Sequence, residues 1–179
     1  MQTRKNQKGF TLIEMIVTVA IIASLAAILV PIVSSELGDT AQSRALGDAQ
    51  RIGTAVTQFI KDARVFPTTN ASGVDSTEVA WGAGTKPATN NLFDDGGDEE
   101  DLLEYLTTNA SNWGGALWSG PYMQQIAADP WGNAFIVNVH GYYEDTEFVW
   151  VISAGPNGDI DTAPTSAVLQ GDDIGVLID

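Results

Sequence analysis

The chain has no cysteine and a single histidine, His140. The first absence excludes a disulfide framework, a thiol nucleophile and any Cys-ligated zinc or iron–sulfur centre. The second excludes a metal site built from clustered imidazoles. Positive charge is scarce as well: 8 Lys and Arg stand against 23 Asp and Glu, a formal net charge of −15. That argues against bulk electrostatic binding to nucleic acid or to an anionic membrane surface. There is no glycine-rich phosphate loop and no G-x-S-x-G elbow. The length, 179 residues, fits one domain with or without an anchor, and the 44% hydrophobic content is unevenly spread.

The unevenness begins at the N-terminus. Residues 1–9 are polar and contain Arg4, Lys5 and Lys8, and an apolar run then extends from Phe10 to Val33. Between Met15 and Val30 only Thr18 and Ser24 interrupt it. As a helix the run spans about 36 Å, enough for a bilayer core of about 30 Å. Basic residues before the run place the N-terminus on the cytoplasmic side and the remainder across the membrane. A cleaved secretory signal or an ordinary uncleaved anchor accounts for the hydrophobicity. The run, however, continues through the small residues Ser24, Ala26 and Ala27 where a signal would be cut. Neither accounts for Glu14, because a carboxylate near the start of a span is costly without a partner. An α-amine created at Phe10, on the same chain or on a staggered neighbour, would be such a partner.

The segment Lys8-Gly9-Phe10-Thr11-Leu12-Ile13-Glu14, followed by the apolar run, resembles the processing motif of type IV pilins and type II secretion pseudopilins. The resemblance implies that a prepilin peptidase cuts after Gly9 and N-methylates Phe10. It makes Glu14 the glutamate at the fifth mature position, used in assembly, and places Pro31 where the family often has a helix-bending proline. Removing residues 1–9 takes three bases and no acid, leaving 170 residues with 5 bases and 23 acids, a net charge of −18.

From Ser34 the pattern turns amphipathic. Leu37, Ala41, Ala45, Ala49, Ile52, Val56, Phe59, Ile60 and Ala63 form one stripe, with charged residues between them. One helix is expected from about residue 10 to about Val65, bent near Pro31 and ended by Phe66-Pro67. Gly38, Gly47 and Gly53 each weaken it by about 1 kcal/mol relative to alanine. They are either tolerated or mark close helix packing or local extension in a filament.

Pro67 opens a long irregular stretch of Asn, Gly, Thr and Ala to about Asn91. The acidic run Asp94–Asp101, followed by Leu102-Leu103-Glu104-Tyr105-Leu106, reads as a solvated helix start rather than a metal site. Asp129-Pro130 and Gly132-Asn133 bracket a turn. Phe135–Val139 and Glu147–Ile152 are expected as an antiparallel hairpin, with His140 structural. Arg64-Val65-Phe66-Pro67-Thr68-Thr69, Gly120-Pro121-Tyr122, Asp129-Pro130-Trp131-Gly132-Asn133 and Ser153 with Gly155 resemble the major-pseudopilin branch of the type II secretion system. Residues 71–117 do not match and are expected to be an insertion.

The last strand leads into Ser153-Ala154-Gly155-Pro156-Asn157-Gly158-Asp159-Ile160-Asp161, and Asp172 and Asp173 follow. Carboxylates, an amide and backbone oxygens suit calcium, which takes about 6–8 oxygens in irregular loops. Asn157, Asp159 and Asp161 alternate like the start of a calcium loop. The sixth position has no glycine and the twelfth no glutamate, so this is no EF-hand. A polar turn with an acidic tail is the alternative. The resemblance implies calcium here through Asn157, Asp172 and Asp173, with Ser153 and Gly155 in the supporting turn. Asn157 stands where the family usually has aspartate, which makes Asp159 a second candidate. An ion would also replace the disulfide with which many pilins staple this region.

The resemblance thus implies an α+β lollipop, a long helix (about 10–65) on a small antiparallel sheet with an irregular C-terminal calcium loop. Residues 1–9 form a leader, 10–33 a membrane and filament-core helix, and 34–179 an amphipathic helix with a periplasmic head. The implied function is that of a structural subunit in the inner membrane, polymerising with itself and with other pseudopilins. Further implied partners are the prepilin peptidase, an inner-membrane platform with its ATPase, a secretin and the secreted proteins. A type IV pilin for adhesion, motility or uptake is the near alternative. A membrane-anchored enzyme using Asp172 and Asp173, or a calcium-dependent binding module, belongs to a different class. Against the enzyme, adjacent residues in a strand point apart.

Overall fold

The computed structural model describes residues 10–65, 77–88, 98–102, 104–110, 112, 115–142 and 145–178. It divides into two units, residues 1–40 and 41–179. A single helix, α1 (Leu12–Ala63), supplies most of the first unit and opens the second.

In the first unit α1 begins with a reciprocal cap. The Thr11 N–H and hydroxyl both donate to Glu14 Oε2 at 2.8 Å, and the Glu14 N–H donates to Thr11 Oγ1 at 3.3 Å. This is the capping-box pattern, T-x-x-E, which satisfies donors that a helix start leaves orphaned. Pro31 lies inside the helix. Every large apolar side chain from Phe10 to Leu37 is exposed, Ile22 by 65% and Leu37 by 66%. Burying such side chains is worth about 1.5–3 kcal/mol each, and this unit leaves that unrealised.

In the second unit the helix becomes one-sided. Ala45, Ala49, Ile52, Gly53, Ala55, Val56, Phe59 and Ala63 are buried, at the three- and four-residue spacing expected of one face. The helix stops at Ala63, and Arg64 then takes a left-handed conformation with φ 55° while its N–H still reaches the Ile60 carbonyl at 2.9 Å. Phe66-Pro67, the expected terminator, lies outside the described residues.

The sheet has five strands: β1 (Thr77–Trp81), β2 (Asp98–Asp101), β3 (Ile136–Asn138), β4 (Val149–Ser153) and β5 (Ile174–Ile178). Their order is β2-β1-β3-β4-β5. Four strands, β1, β3, β4 and β5, are antiparallel neighbours, and β2 joins β1 in parallel at the edge. The expected hairpin is present as β3 and β4, joined through a short 3₁₀ turn at His140–Tyr142.

Two expectations and one alternative need correction. The stretch to Asn91 is not wholly irregular, because it contains β1. The acidic run does not open an α-helix: its last four residues form β2, and Glu104–Thr108 is a π-helical turn. Carboxylates three and four apart repel on a helix, whereas an edge strand is a usual place for charge. The C-terminus is not an acidic tail either, since β5 follows Asp173 directly.

Alternation along the strands builds two apolar layers. Ala80, Val137, Val149 and Val151 face the helix and join Ile52, Val56, Phe59, Tyr105 and Leu106. Phe59 is fully buried, edge-on to Tyr105 and to Tyr122. Val79, Trp81, Ile136, Trp150 and Ile152 form the opposite layer with Ala154, Ile160 and Leu169. The connection from β4 to β5 covers that layer: the Trp150 indole N–H donates to the Ser166 carbonyl at 2.9 Å and the Phe148 N–H to that of Pro164 at 2.9 Å.

Candidate functional site

The C-terminal loop is positioned by strand pairing. Antiparallel pairing sets Ser153 opposite Ile174, so the two ends of the β4–β5 connection must meet. At that junction Gly155, with φ 64°, touches the Asp172 carbonyl oxygen with no room for a Cβ. Gly171 sits equally close to the Asp161 carboxylate.

Side chains then tie the loop together. The Asn157 N–H donates to Asp172 Oδ2 at 3.0 Å, and Asn157 Nδ2 donates to Asp161 Oδ2 at 3.1 Å. The Asp161 and Thr162 N–H groups both donate to Asp173 Oδ2, at 2.9 and 2.7 Å. Asp173 is only 7% exposed, and its other oxygen, Oδ1, is buried without a hydrogen-bond partner. Burial raises the Asp173 carboxyl above the usual range, and the negative charge of Asp161 adds to this. The bonds from Thr162 and Asp161 oppose it. A buried, half-satisfied carboxylate beside a second acid is costly alone and is relieved by a cation.

The structure therefore brings together Asn157, Asp161, Asp172 and Asp173, with the backbone of Ser153 and Gly155 adjacent. Asp159 is placed differently: its N–H is taken by Asn157 Oδ1 at 2.7 Å, and its backbone forms a bridge with Ala88. Among the described residues no three acidic side chains form a ready-made metal nest, so a cation here would draw on backbone oxygens as well.

Asp129 was not among the expected site residues, yet it is 5% exposed and organises the approach to the loop. Oδ1 accepts the N–H groups of Trp131 and Asn133 at 3.0 and 2.8 Å, and Oδ2 accepts the Ser153 hydroxyl at 2.7 Å. The Asp-Pro-x-Gly-Asn spacing marks the turn. Its long-range bond to Ser153 leaves no local pattern.

At the N-terminal motif, Gly9 lies outside the described residues. Phe10 is 81% exposed, and Glu14 is held by its own Thr11. Of the three helical glycines, Gly53 lies where a Cβ would be 3.4 Å from Val176 and 3.6 Å from Ile178, whereas Gly38 and Gly47 face open space. A Cβ at Gly53 would be in ordinary van der Waals contact with β5, so Gly53 alone of the three faces a neighbour within the head.

Two family models match the chain: the prokaryotic N-terminal methylation motif over residues 4–30, and type II secretion system protein G over residues 97–171. The second match includes part of the stretch expected to be an insertion. The type II secretion system core protein G of Escherichia coli K12 is 27% identical over 165 residues, 90% of each chain. That of Pseudomonas aeruginosa is 30% identical over 132 residues, 74% of this chain and 73% of its own. The fimbrial protein EcpC of Eikenella corrodens is 39% identical over 75 residues, 41% of this chain and 49% of its own. No solved structure gives a significant match. An exposed apolar helix behind a methylation motif, carrying a helix-on-sheet head, defines a pilin-like subunit. Within that class the chain belongs to the type II secretion system core protein G family, the major pseudopilins.

Proposed function

We propose that the chain is the major structural subunit of a type II secretion pseudopilus. It is cut after Gly9, N-methylated at Phe10 and held in the inner membrane by residues 10–33 with the head in the periplasm. It then polymerises with itself and with other pseudopilins. The observation that carries this reading is the run of exposed apolar side chains from Phe10 to Val33, most of it within the methylation motif. In a bilayer, lipid covers that surface; in a filament, other copies do. A head-to-tail contact of this kind propagates rather than closes. The subunit performs no chemistry of its own. The assembly platform and its ATPase supply the work, and folded cargo leaves through a secretin. A type IV pilin has weaker support, since the fimbrial relative matches 41% of the chain.

Mass spectrometry of the mature protein tests the processing. It should begin at methylated Phe10, and overexpressing cells should carry filaments visible by negative stain. An intact residue 1–9 segment, or processed protein without filaments, would refute the proposal.

The same reading assigns calcium to the C-terminal loop. Asp172, Asp173 and Asp161 would hold it with backbone oxygens near Ser153 and Gly155, and with Asn157 or Asp159 completing the set. The supporting observation is Asp173 Oδ1, buried and unpartnered where two acidic segments cross. Calcium bound only to the folded loop stabilises it by mass action. Calcium should raise the melting temperature of the solubilised chain, and Asp172→Ala with Asp173→Ala should remove the gain. Identical melts in calcium and chelator would discard the site.

A further inference from the structure

Charge in this chain is segregated. Residues 41–64 carry four bases (Arg44, Arg51, Lys61, Arg64) and two acids, whereas residues 65–179 carry one base and 18 acids. The helical stretch is thus +2 and the rest of the head −17. Two of these bases share one carboxylate: Arg51 approaches Asp48 at 2.9 Å and Arg44 at 3.6 Å. The arginine side chains are 76% and 63% exposed, so both guanidinium groups keep donors turned to solvent. They border a groove of about 370 Å³ between α1 and the segment Met123–Ala127, with Ile126 and Phe135 on its floor. Arg51 also borders a second groove, of about 720 Å³, on the other side of Met123. Among the described residues the only carboxylate lining either groove is Asp48, outnumbered by its two arginines.

At the opposite chemical extreme is β2, an edge strand whose four residues, Asp98, Glu99, Glu100 and Asp101, are all acids.

We propose that the Arg44–Arg51 groove of one copy receives the acidic edge strand β2 of a neighbouring copy. This contact deepens the filament reading and rests on it. Charge selects the geometry. The −17 parts of two heads repel when they face one another, whereas the Arg44–Arg51 groove against β2 joins unlike charges. Made once between each pair of copies, that contact is heterologous and can continue from copy to copy. Anionic lipid headgroups could also meet two arginines, but the apolar floor and the four-acid strand favour protein.

The test uses the full-length chain in its membrane, read by formaldehyde cross-linked ladders at low and high salt. Arg44→Glu with Arg51→Glu should cut the multimers by about tenfold, equivalent to about 1.4 kcal/mol of lost contact energy, while processed monomer stays at wild-type level. Adding Asp98→Lys and Glu100→Lys to that chain should restore the ladder. A wild type without a ladder overturns the filament reading and this contact together. A wild-type ladder that the double arginine variant leaves intact overturns this contact alone. So does rescue by Glu36→Lys with Asp39→Lys instead of the β2 changes. An unchanged ladder with lost binding to phosphatidylglycerol vesicles would assign the groove to lipid and overturn the proposal.

Discussion

The two stretches of α1 differ in their apolar residues, mostly large aliphatics in the first and half of them alanine in the second, and have opposite fates. From Leu12 to Thr40 no residue is buried, whereas from Ala41 to Ala63 eight are. The second stretch restricts its apolar side chains to one stripe and meets a sheet whose strands alternate to match. The first is apolar on all sides as far as Val33, so no single face of one head could cover it. One helix thus carries two kinds of stability: the later part belongs to the monomer, and the earlier part waits for lipid or other copies.

The contrast is broken most directly by paired truncations. Phe59→Ala removes a fully buried ring in contact with Tyr105 and Tyr122 and should cost the head about 3–5 kcal/mol. Leu29→Ala, at a side chain 57% exposed, should leave head stability unchanged while weakening multimers. Denaturant unfolding of the detergent-solubilised chain measures both, and a comparable loss from Leu29→Ala would erase the distinction. Next in size is Asp129→Ala, which strands the Ser153 hydroxyl and two turn N–H groups. It should cost about 1–3 kcal/mol by the same measurement. The glycines sharpen the comparison further. Gly53→Leu adds three carbons beyond a Cβ already in contact with Val176 and Ile178 and should cost about 1–3 kcal/mol. Gly47→Leu meets open space and should be neutral or gain up to about 1 kcal/mol from helix propensity. Equal effects at the two positions would mean that Gly53 is not a packing contact.

The legibility of the chain follows the same division. The helix was readable to within two residues at either end, because a long apolar run and a strict three-and-four stripe are strong periodic signals. The β3–β4 hairpin was readable for the analogous reason, with continuous β-branched and aromatic residues on both sides. The other three strands were not. Thr77-Glu78-Val79-Ala80-Trp81 lies in a stretch rich in turn residues. Asp98–Asp101 has no hydrophobic member, and Ile174-Gly175-Val176-Leu177-Ile178 directly follows a pair of aspartates. Their strand character comes from partners distant in sequence, which single-chain propensity does not contain. At the loop, Asp172 and Asp173 were legible as acids beside Asn157. The bonds from Asp173 to the Asp161 and Thr162 amides, and from Asp129 to Ser153, exist only once β4 and β5 pair.

The central claim is that residues 12–40 are completed by other copies of the chain. Because the chain has no cysteine, an introduced one is its only thiol. Filaments sheared from cells carrying Ile22→Cys, at a position 65% exposed in the single chain, should resist a water-soluble maleimide until detergent dissolves them. Filaments carrying Val168→Cys on the head, 70% exposed, should label at once. Immediate labelling of the Ile22→Cys variant in intact filaments would contradict the account.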